Sequence, residues 1–508
     1  MDESRFLELS EDYNLIPIHK EIIADTMTPV SIYKKLTGED DYSYLLESAT
    51  TGRKLNVGRY SFIGIEPELI LSHKDGKTSI KGRDGGEEKQ IKGDFRQVVT
   101  DLMARYNTLS PDDLPPFSGG LVGYFGYEMI SSWEDIFHGE SNRDLSKSNL
   151  PESVLVLSRT VLAYDHLDNT LKIIYNAHIE DEKTEEERRK LYREAVDKIE
   201  GIIDRINAKG HHSTSNPSPL SLADMSHHTD ENEFQRMVKK AKNYIREGEA
   251  FQIVLSQKFS LDVEVSSFEV YRALRVSNPS PYMFYLNYPE VKLIGSSPEM
   301  LVRVQGRRIV TRPLAGTRPR GETAREDSSL KKDLLQDEKE KAEHTMLVDL
   351  GRNDLGRVCK YGSVEVTELM EIELYSQVMH IASQVEGEMR DDIGVMDVLS
   401  SVFPAGTVTG APKIRAIELI DSLEKTPRGP YAGTVGYLDF SGNLDTCITI
   451  RTFFMQDGRL TARVGAGMVA DSVPEKEQKE ILDKAGALFQ ALRIIEEDKL
   501  HGPGNRQL

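Results

Sequence analysis

Two acidic stretches, far apart in the chain, hold the residue types from which a divalent-cation site is built. In the run KEKAEH, Glu340, Glu343 and His344 recur at spacings of three and four. They therefore share one face of a helix, beside apolar Leu347. A second helix is expected after Ser472, where Ser472 and Glu475 have capping-box spacing and Pro474 suits a first turn. It presents Glu477, Glu480 and Lys484 at i, i+3 and i+7. Two helices bringing carboxylates together can hold a hard cation, and Mg²⁺ takes one or two carboxylates plus substrate oxygens. The same spacing also marks an ordinary solvated helix face.

Glycine-rich segments offer a place for an anion. FPAGTVTGAPK (403–413) runs into a helix whose free N–H groups could hold a carboxylate. It is not a phosphate loop, because Ile414 follows Lys413 where Ser or Thr is needed. RVGAGMVADS (463–472) places Gly465 and Gly467 before the second acidic helix, so backbone could approach a ligand closely. GGLVGYFGYE (119–128) reads instead as a close-packed strand. The cations near these loops are Arg318, Arg320, Lys413 and Arg451, and arginine suits a carboxylate because its fork makes two parallel bonds. No Ser–His–Asp or Cys–His nucleophile pattern emerges.

The elements that must position these residues are legible from periodicity and turn signals. N-terminal segments such as YSYLLESA and ESVLVLSRTVLAYDH read as strands. A charged helix is expected over about 180–208, and a single long one over EDSSLKKDLLQDEKEKAEHTMLVDLGR (326–352). Gly306, Ser441-Gly442-Asn443 and Asp457-Gly458 punctuate consecutive strands, which favours antiparallel meanders and an α+β class. The segment 207–228, rich in Ser, Pro, His and Gly, reads as a linker between an N-terminal lobe (1–206) and a C-terminal catalytic lobe (229–497), followed by a tail (498–508).

Bulk properties narrow the partners. A net charge of −19 argues against nucleic acid or an anionic membrane, while a few local arginines still decide a pocket's sign. Two cysteines, Cys359 and Cys447, are too few for a disulfide framework. The N-terminus lacks the basic start and apolar run of a secretory signal, no segment has the ~20 apolar residues that span a bilayer, and a cytoplasmic location is expected.

Taken together, LLES (45–48), FQIVLSQ, NPSPYMFY, GSSPE, RPLAGTRPRG, KEKAEHTMLVDLGRNDLGRV, FPAGTVTGAPK, YAGTVGY, DTCITIRT and GAGMVADSVPEKE resemble the chorismate-using enzymes, most closely the large subunits of anthranilate synthases. The resemblance covers most of the chain and implies their two-lobed, mainly antiparallel fold. By position it makes Glu343 and Glu480 the Mg²⁺ ligands, with Gly316, Thr317, Tyr431, Arg451, Gly465, Ala466, Gly467 and Lys484 as substrate-binding residues. It casts Glu299 as the acid that protonates a departing hydroxyl, beside Thr407, and His380 as an aid to the later elimination. Gln252 stands where water-adding relatives carry a lysine base, and Ala315 where aminodeoxychorismate-forming relatives carry a lysine, so anthranilate formation is the expectation over that sister activity or an inactive tryptophan sensor. The resemblance further implies chorismate as substrate, ammonia supplied by a glutamine amidotransferase in a hetero-oligomer, expected to be a heterotetramer, and feedback by tryptophan at Glu47, Ser48, Pro281, Tyr282 and Met283.

Overall fold

The computed structural model describes residues 1–49, 58–83, 88–109, 113–136, 149–180, 183–208, 220–375 and 378–497. Most of the linker (209–219) and all of the tail (498–508) lie outside them. Two large antiparallel sheets stack face to face, with helices on both outer faces, so the class is α+β.

The first sheet runs Leu15–Ile23, Thr170–His178, Thr160–Asp165, Tyr60–Gly64 and Ser43–Glu47. It continues without a break through Tyr282–Tyr288, Val291–Ser297, Thr452–Gln456, Arg459–Met468 and Gln252–Asp262. The second sheet likewise joins Thr434–Asp439, from the C-terminal half, to Gly120–Phe125, from the N-terminal half. The segment 207–228 thus divides the sequence but not the sheets, and the halves meet at one strand seam in each.

Period-two alternation sorts the side chains at the first seam. Tyr44, Phe284 and Leu286 point into the layer between the sheets. Leu45, Met283 and Tyr285 point to the outer face, under the helices Ser267–Ser277 and Pro474–Glu496. Within the segment 119–128, Gly120–Phe125 is the close-packed strand the spacing suggested, and Tyr127 opens a short 3-10 helix. A Cβ at Gly123 would lie 2.0 Å from the Val154 carbonyl oxygen, and one at Gly120 2.2 Å from that of Leu438. The expected turns also hold positive φ at Gly306, Gly442, Asp457 and Gly458.

Two local expectations are overturned. The long acidic helix is two helices, Ala324–Gln336 and Glu338–Gly356, broken at Asp337. Asp337 leaves helical geometry because its carboxylate caps the second helix, accepting from the Lys339 and Glu340 N–H groups, and is also gripped by Arg318 at 2.8 Å. The helix Pro474–Glu496 starts on Val473 without a side-chain cap. The capping box of Ser472 and Glu475 does not form, because the Ser472 hydroxyl accepts from the Val469 N–H instead.

A buried ion pair ties the helix Glu338–Gly356 to the loop before Lys413–Leu423. Lys413 Nζ donates to Asp354 at 2.7 Å and to the Val402 carbonyl at 2.8 Å. Removing one member strands a charge in low dielectric, which costs about 3–5 kcal/mol. Lys413→Met is therefore expected to lower the unfolding free energy by about that amount in urea titrations, with Lys413→Met/Asp354→Asn recovering part of it. A loss below about 1 kcal/mol would show the pair to be solvated.

Candidate active site

The strands Leu314–Pro319 and Val378–Glu388 pack with the helix Glu338–Gly356, and further candidate residues lie on the strand Arg459–Met468 of the other sheet. Glu299 follows the strand Val291–Ser297, its backbone carbonyl accepting from the Ile448 N–H at 3.0 Å. Its side chain is 5 % exposed and accepts from the Leu314 N–H at 3.2 Å. Burial pushes its carboxyl up to about 8, against the opposing pull of the Leu314 N–H, the nearby Thr407 hydroxyl and Arg451. Thr407 Oγ1 is close enough to ease that charge yet makes no well-directed hydrogen bond. Glu299 and Thr407 line one pocket with Thr311, Gly406 and Ile448. At neutral pH Glu299 is a protonated acid there.

Of the four candidate cations, three are committed elsewhere. Arg318 binds Asp333, Asp337 and Glu340, Arg320 binds Asp327, and Lys413 binds Asp354. Arg451 has no ion pair among the described residues. Its backbone sits at φ 49°, and burial pulls its pKa down, countered by Tyr375 and Glu299. It is the free positive charge of the site, suited to a carboxylate.

Gly316 interrupts the pairing of its strand as a bulge at φ +68°. The bulge turns its carbonyl toward His380 Nδ1, 3.0 Å away, with Thr317 Oγ1 at 3.1 Å. Donation to a carbonyl places the proton on Nδ1, leaving buried Nε2 an acceptor with no partner. Burial, then Arg451, pulls the imidazole down to about 4, so His380 is neutral. The ring of Tyr375 packs edge-on against it at 5.5 Å.

The glycines of Arg459–Met468 make room for side chains. A Cβ at Gly465 would lie 2.4 Å from the Tyr431 hydroxyl, and one at Gly467 2.7 Å from Gln252 Nε2. Ala466 is buried between them. Lys484 reaches back to the Gly465 carbonyl at 3.2 Å and pairs with Glu480 at 2.8 Å.

The two acidic helices do meet. Burial raises the Glu343 carboxyl, and the charges of Glu340 and Glu480 raise it further, while Lys339 opposes. Burial likewise raises Glu477, helped by Glu480. A Cβ on Gly316 would fall 3.1 Å from Glu340 Oε2, which puts this cluster against the Gly316 bulge. No three acidic, histidine or cysteine side chains among the described residues form a closed metal cage. Glu343 and Glu480 are each paired with a lysine of their own helix, Lys339 at 3.6 Å and Lys484 at 2.8 Å, and an ion that takes one or two carboxylates plus water and substrate oxygens needs no closed cage.

The residues expected to bind tryptophan lie at or beside the first seam. Met283 pairs with Glu47, and the Ala49 N–H donates to the Ser280 carbonyl at 3.1 Å. Glu47 already holds Arg275 at 2.9 Å and Tyr271. The hydroxyls of Ser48 and Ser280 are buried without partners. Tyr282 does not join this group through its side chain: alternation sends it to the opposite face, where its hydroxyl donates to Asp445 at 3.0 Å.

Comparison with known proteins places this architecture. A family model for chorismate binding enzymes matches residues 41–490. The chain belongs to the chorismate-binding enzymes. Within that family, anthranilate synthase component 1 of Acetivibrio thermocellus is 45% identical over 498 residues, spanning 97% of this chain and 98% of that protein. Its counterpart in Aquifex aeolicus is 43% identical, spanning 97% of each. A crystal structure of anthranilate synthase component I from Streptococcus pneumoniae TIGR4 matches at TM-score 0.75 and 34% identity, covering 92% of this chain and 98% of that one. This chorismate-binding enzyme is thus of the anthranilate synthase component 1 kind. A menaquinone-specific isochorismate synthase from Escherichia coli shares the fold, at TM-score 0.67 and 18% identity over 96% of this chain and 98% of that one.

Sequence reasoning missed Tyr375, which no spacing rule singles out, and the charges packed behind Tyr431: Glu424, Arg428 and Arg463. The Pro/Gly-rich run TPRGPYAG (426–433) was the available signal, since a charge amid turn residues must find a partner.

The raised pKa of Glu299 sets a pH dependence. A carboxyl whose folded value lies above its unfolded one contributes its full stability below the unfolded value and loses it as pH rises through the folded value. Glu299→Gln is expected to flatten the decline in thermal stability between pH 4.5 and about 8 relative to the unaltered chain. Parallel pH profiles would show that Glu299 is ionised in the folded state.

Proposed function

We propose that this chain converts chorismate and ammonia to anthranilate and pyruvate. The observation that carries the reading is a buried, protonated acid, Glu299, close enough to feel the charge of Arg451, a guanidinium without a carboxylate partner among the described residues. An anionic ring whose hydroxyl must leave requires that pair, since hydroxide departs poorly without a proton donor.

In the first stage ammonia forms a C–N bond at C2 of the ring. The double bonds shift, and the C4–O bond breaks. Glu299 delivers its proton to the leaving oxygen, which departs as water, the ammonium formed at C2 gives up one proton to solvent to leave the amine, and the resulting carboxylate lies near Arg451. In the second stage the C2 proton is removed and the C3–O bond breaks. The ring becomes aromatic, and the enolpyruvyl fragment gains a proton at its methylene carbon to become pyruvate. His380 Nε2, neutral and unpartnered, is suited to take the C2 proton. Thr407 steadies Glu299, and Gln252, an amide, offers no general base against the opposite face, which favours ammonia over water as nucleophile. Gly316, Thr317, Tyr431, Arg451, Ala466 and the two glycines of 465–467 wall the substrate, with Lys484 at its rim. Glu343 and Glu480 are suited to hold Mg²⁺. When bound, the ion supplies positive charge to the ring carboxylate and makes the ring more electrophilic.

Ammonia is scarce as the free base at neutral pH, so we assign its supply to a glutamine amidotransferase subunit in a hetero-oligomer, most simply a heterotetramer, in the cytoplasm. No helix among the described residues is long and apolar enough to cross a membrane. Tryptophan is assigned as feedback inhibitor at the seam. There Ser48 and Ser280 supply unpaired hydroxyls, Glu47 an anion, and Pro281 and Met283 an apolar wall, with Tyr282 contributing main chain only.

Incubation of the purified chain with chorismate, MgCl₂ and ammonium chloride at alkaline pH is expected to give anthranilate fluorescence and equimolar pyruvate, and excess EDTA is expected to abolish both. An aminated, non-aromatic product without pyruvate would instead identify the sister activity. Ser48→Arg is expected to keep catalysis and lose inhibition by tryptophan. Inhibition that survives in that active variant would place the inhibitor elsewhere.

A further inference from the structure

Directly behind the substrate walls lies a knot of buried charge that the reaction itself does not use. Arg428, Glu424 and Arg463 are 0 %, 2 % and 3 % exposed. Glu424 Oε2 accepts from Arg428 Nε and Arg463 Nη1, each at 2.9 Å, and Oε1 accepts from Arg428 Nη2 at 2.7 Å. Glu128, from the N-terminal half, accepts from the Arg428 and Gly429 N–H groups at 2.8 and 2.9 Å.

What the knot holds is specific. Arg428 Nη1 donates to the Val408 carbonyl at 2.7 Å, the residue after Thr407, and Nη2 to the Val254 carbonyl at 2.8 Å, two residues beyond Gln252. The guanidinium lies between two rings, 4.7 Å from the centre of Tyr127 and 5.7 Å from that of Tyr431. Arg463 stands two residues before Gly465 on the same strand, and its Nη1 also donates to Ser256, the residue paired with Gly465. The segments of Val408, Val254 and Tyr431 thus meet at one planar fork, a set of directions that a point charge cannot satisfy, and Glu424 joins the strand of Gly465 to it through Arg463.

We propose that Arg428 is a positioning residue for substrate binding, fixing Tyr431, the Thr407 loop and the strand of Gly465 relative to one another. The inference rests on the chorismate reading above. It concerns the wall that receives the ring, so its signature is a rise in KM for chorismate with little change in KM for ammonium; a general loosening of the fold would move both.

Arg428→Lys keeps the charge and loses the fork. In the ammonium-dependent assay it is expected to raise KM for chorismate at least tenfold, to leave KM for ammonium within twofold, and to retain a cooperative melt. A folded variant whose chorismate KM stays within twofold, or whose two KM values rise together, overturns the proposal. If Arg428→Lys does not fold, Arg463→Lys is read by the same criteria, and failure of both to fold overturns it too, because the knot would then serve stability alone. An unaltered chain inactive on chorismate would instead refute the function proposed above, not this inference.

Discussion

A guanidinium withdrawn from water without an anion is unfavourable, and protein interiors tolerate it only where surrounding structure holds it in place. Arg451, partly buried, has no carboxylate partner among the described residues, while Arg312, Arg318, Arg320, Arg428 and Arg463 each have one. The site is organised around that one withheld partner. A bound carboxylate completes what the protein leaves incomplete, while the Leu314 N–H, the Thr407 hydroxyl and, last, the Arg451 charge together restrain the rise that burial imposes on Glu299. Two opposed requirements, an anion site and a proton donor, are met by Arg451 and Glu299 set close to one another.

That arrangement needs stiff support, and the two sheets provide it. Glu299 continues a strand whose hairpin partner, Tyr282–Tyr288, reaches the seam with Ser43–Glu47. Arg451 directly precedes the strand Thr452–Gln456, which pairs with that same hairpin. The acid and the cation are therefore one strand apart in a continuous ladder. The helices add what strands cannot: convergent carboxylates from Glu338–Gly356 and Pro474–Glu496, anchored by Lys413 on Asp354 and by Lys484 on the Gly465 carbonyl.

Much of this was legible before any coordinates. Turn residues at Gly306, Gly442 and Gly458 announced antiparallel hairpins, and the i, i+3 spacing of Glu340 with Glu343 and of Glu477 with Glu480 announced two acidic faces. Local signals of that kind depend only on neighbouring residues. Others are decided at long range and were not legible. Asp337 breaks a helix because Arg318, from a distant strand, claims its carboxylate. Ser472 abandons its cap for the Val469 N–H. Which of four cations would remain unpaired was likewise invisible, because the carboxylates that neutralise Arg318, Arg320 and Lys413 are assigned only by tertiary packing.

The single seam in each sheet also bears on how the chain is made. Strands from the N-terminal half assemble among themselves as far as Ser43–Glu47 in one sheet and Gly120–Phe125 in the other, and there each presents an open edge. The strands that cover those edges, Tyr282–Tyr288 and Thr434–Asp439, leave the ribosome much later. During that interval the nascent half exposes two unpaired ladders, the geometry that invites pairing with another chain. Escape from aggregation thus depends on the second half arriving promptly, and an early stop codon would yield an adhesive fragment, not a smaller working protein.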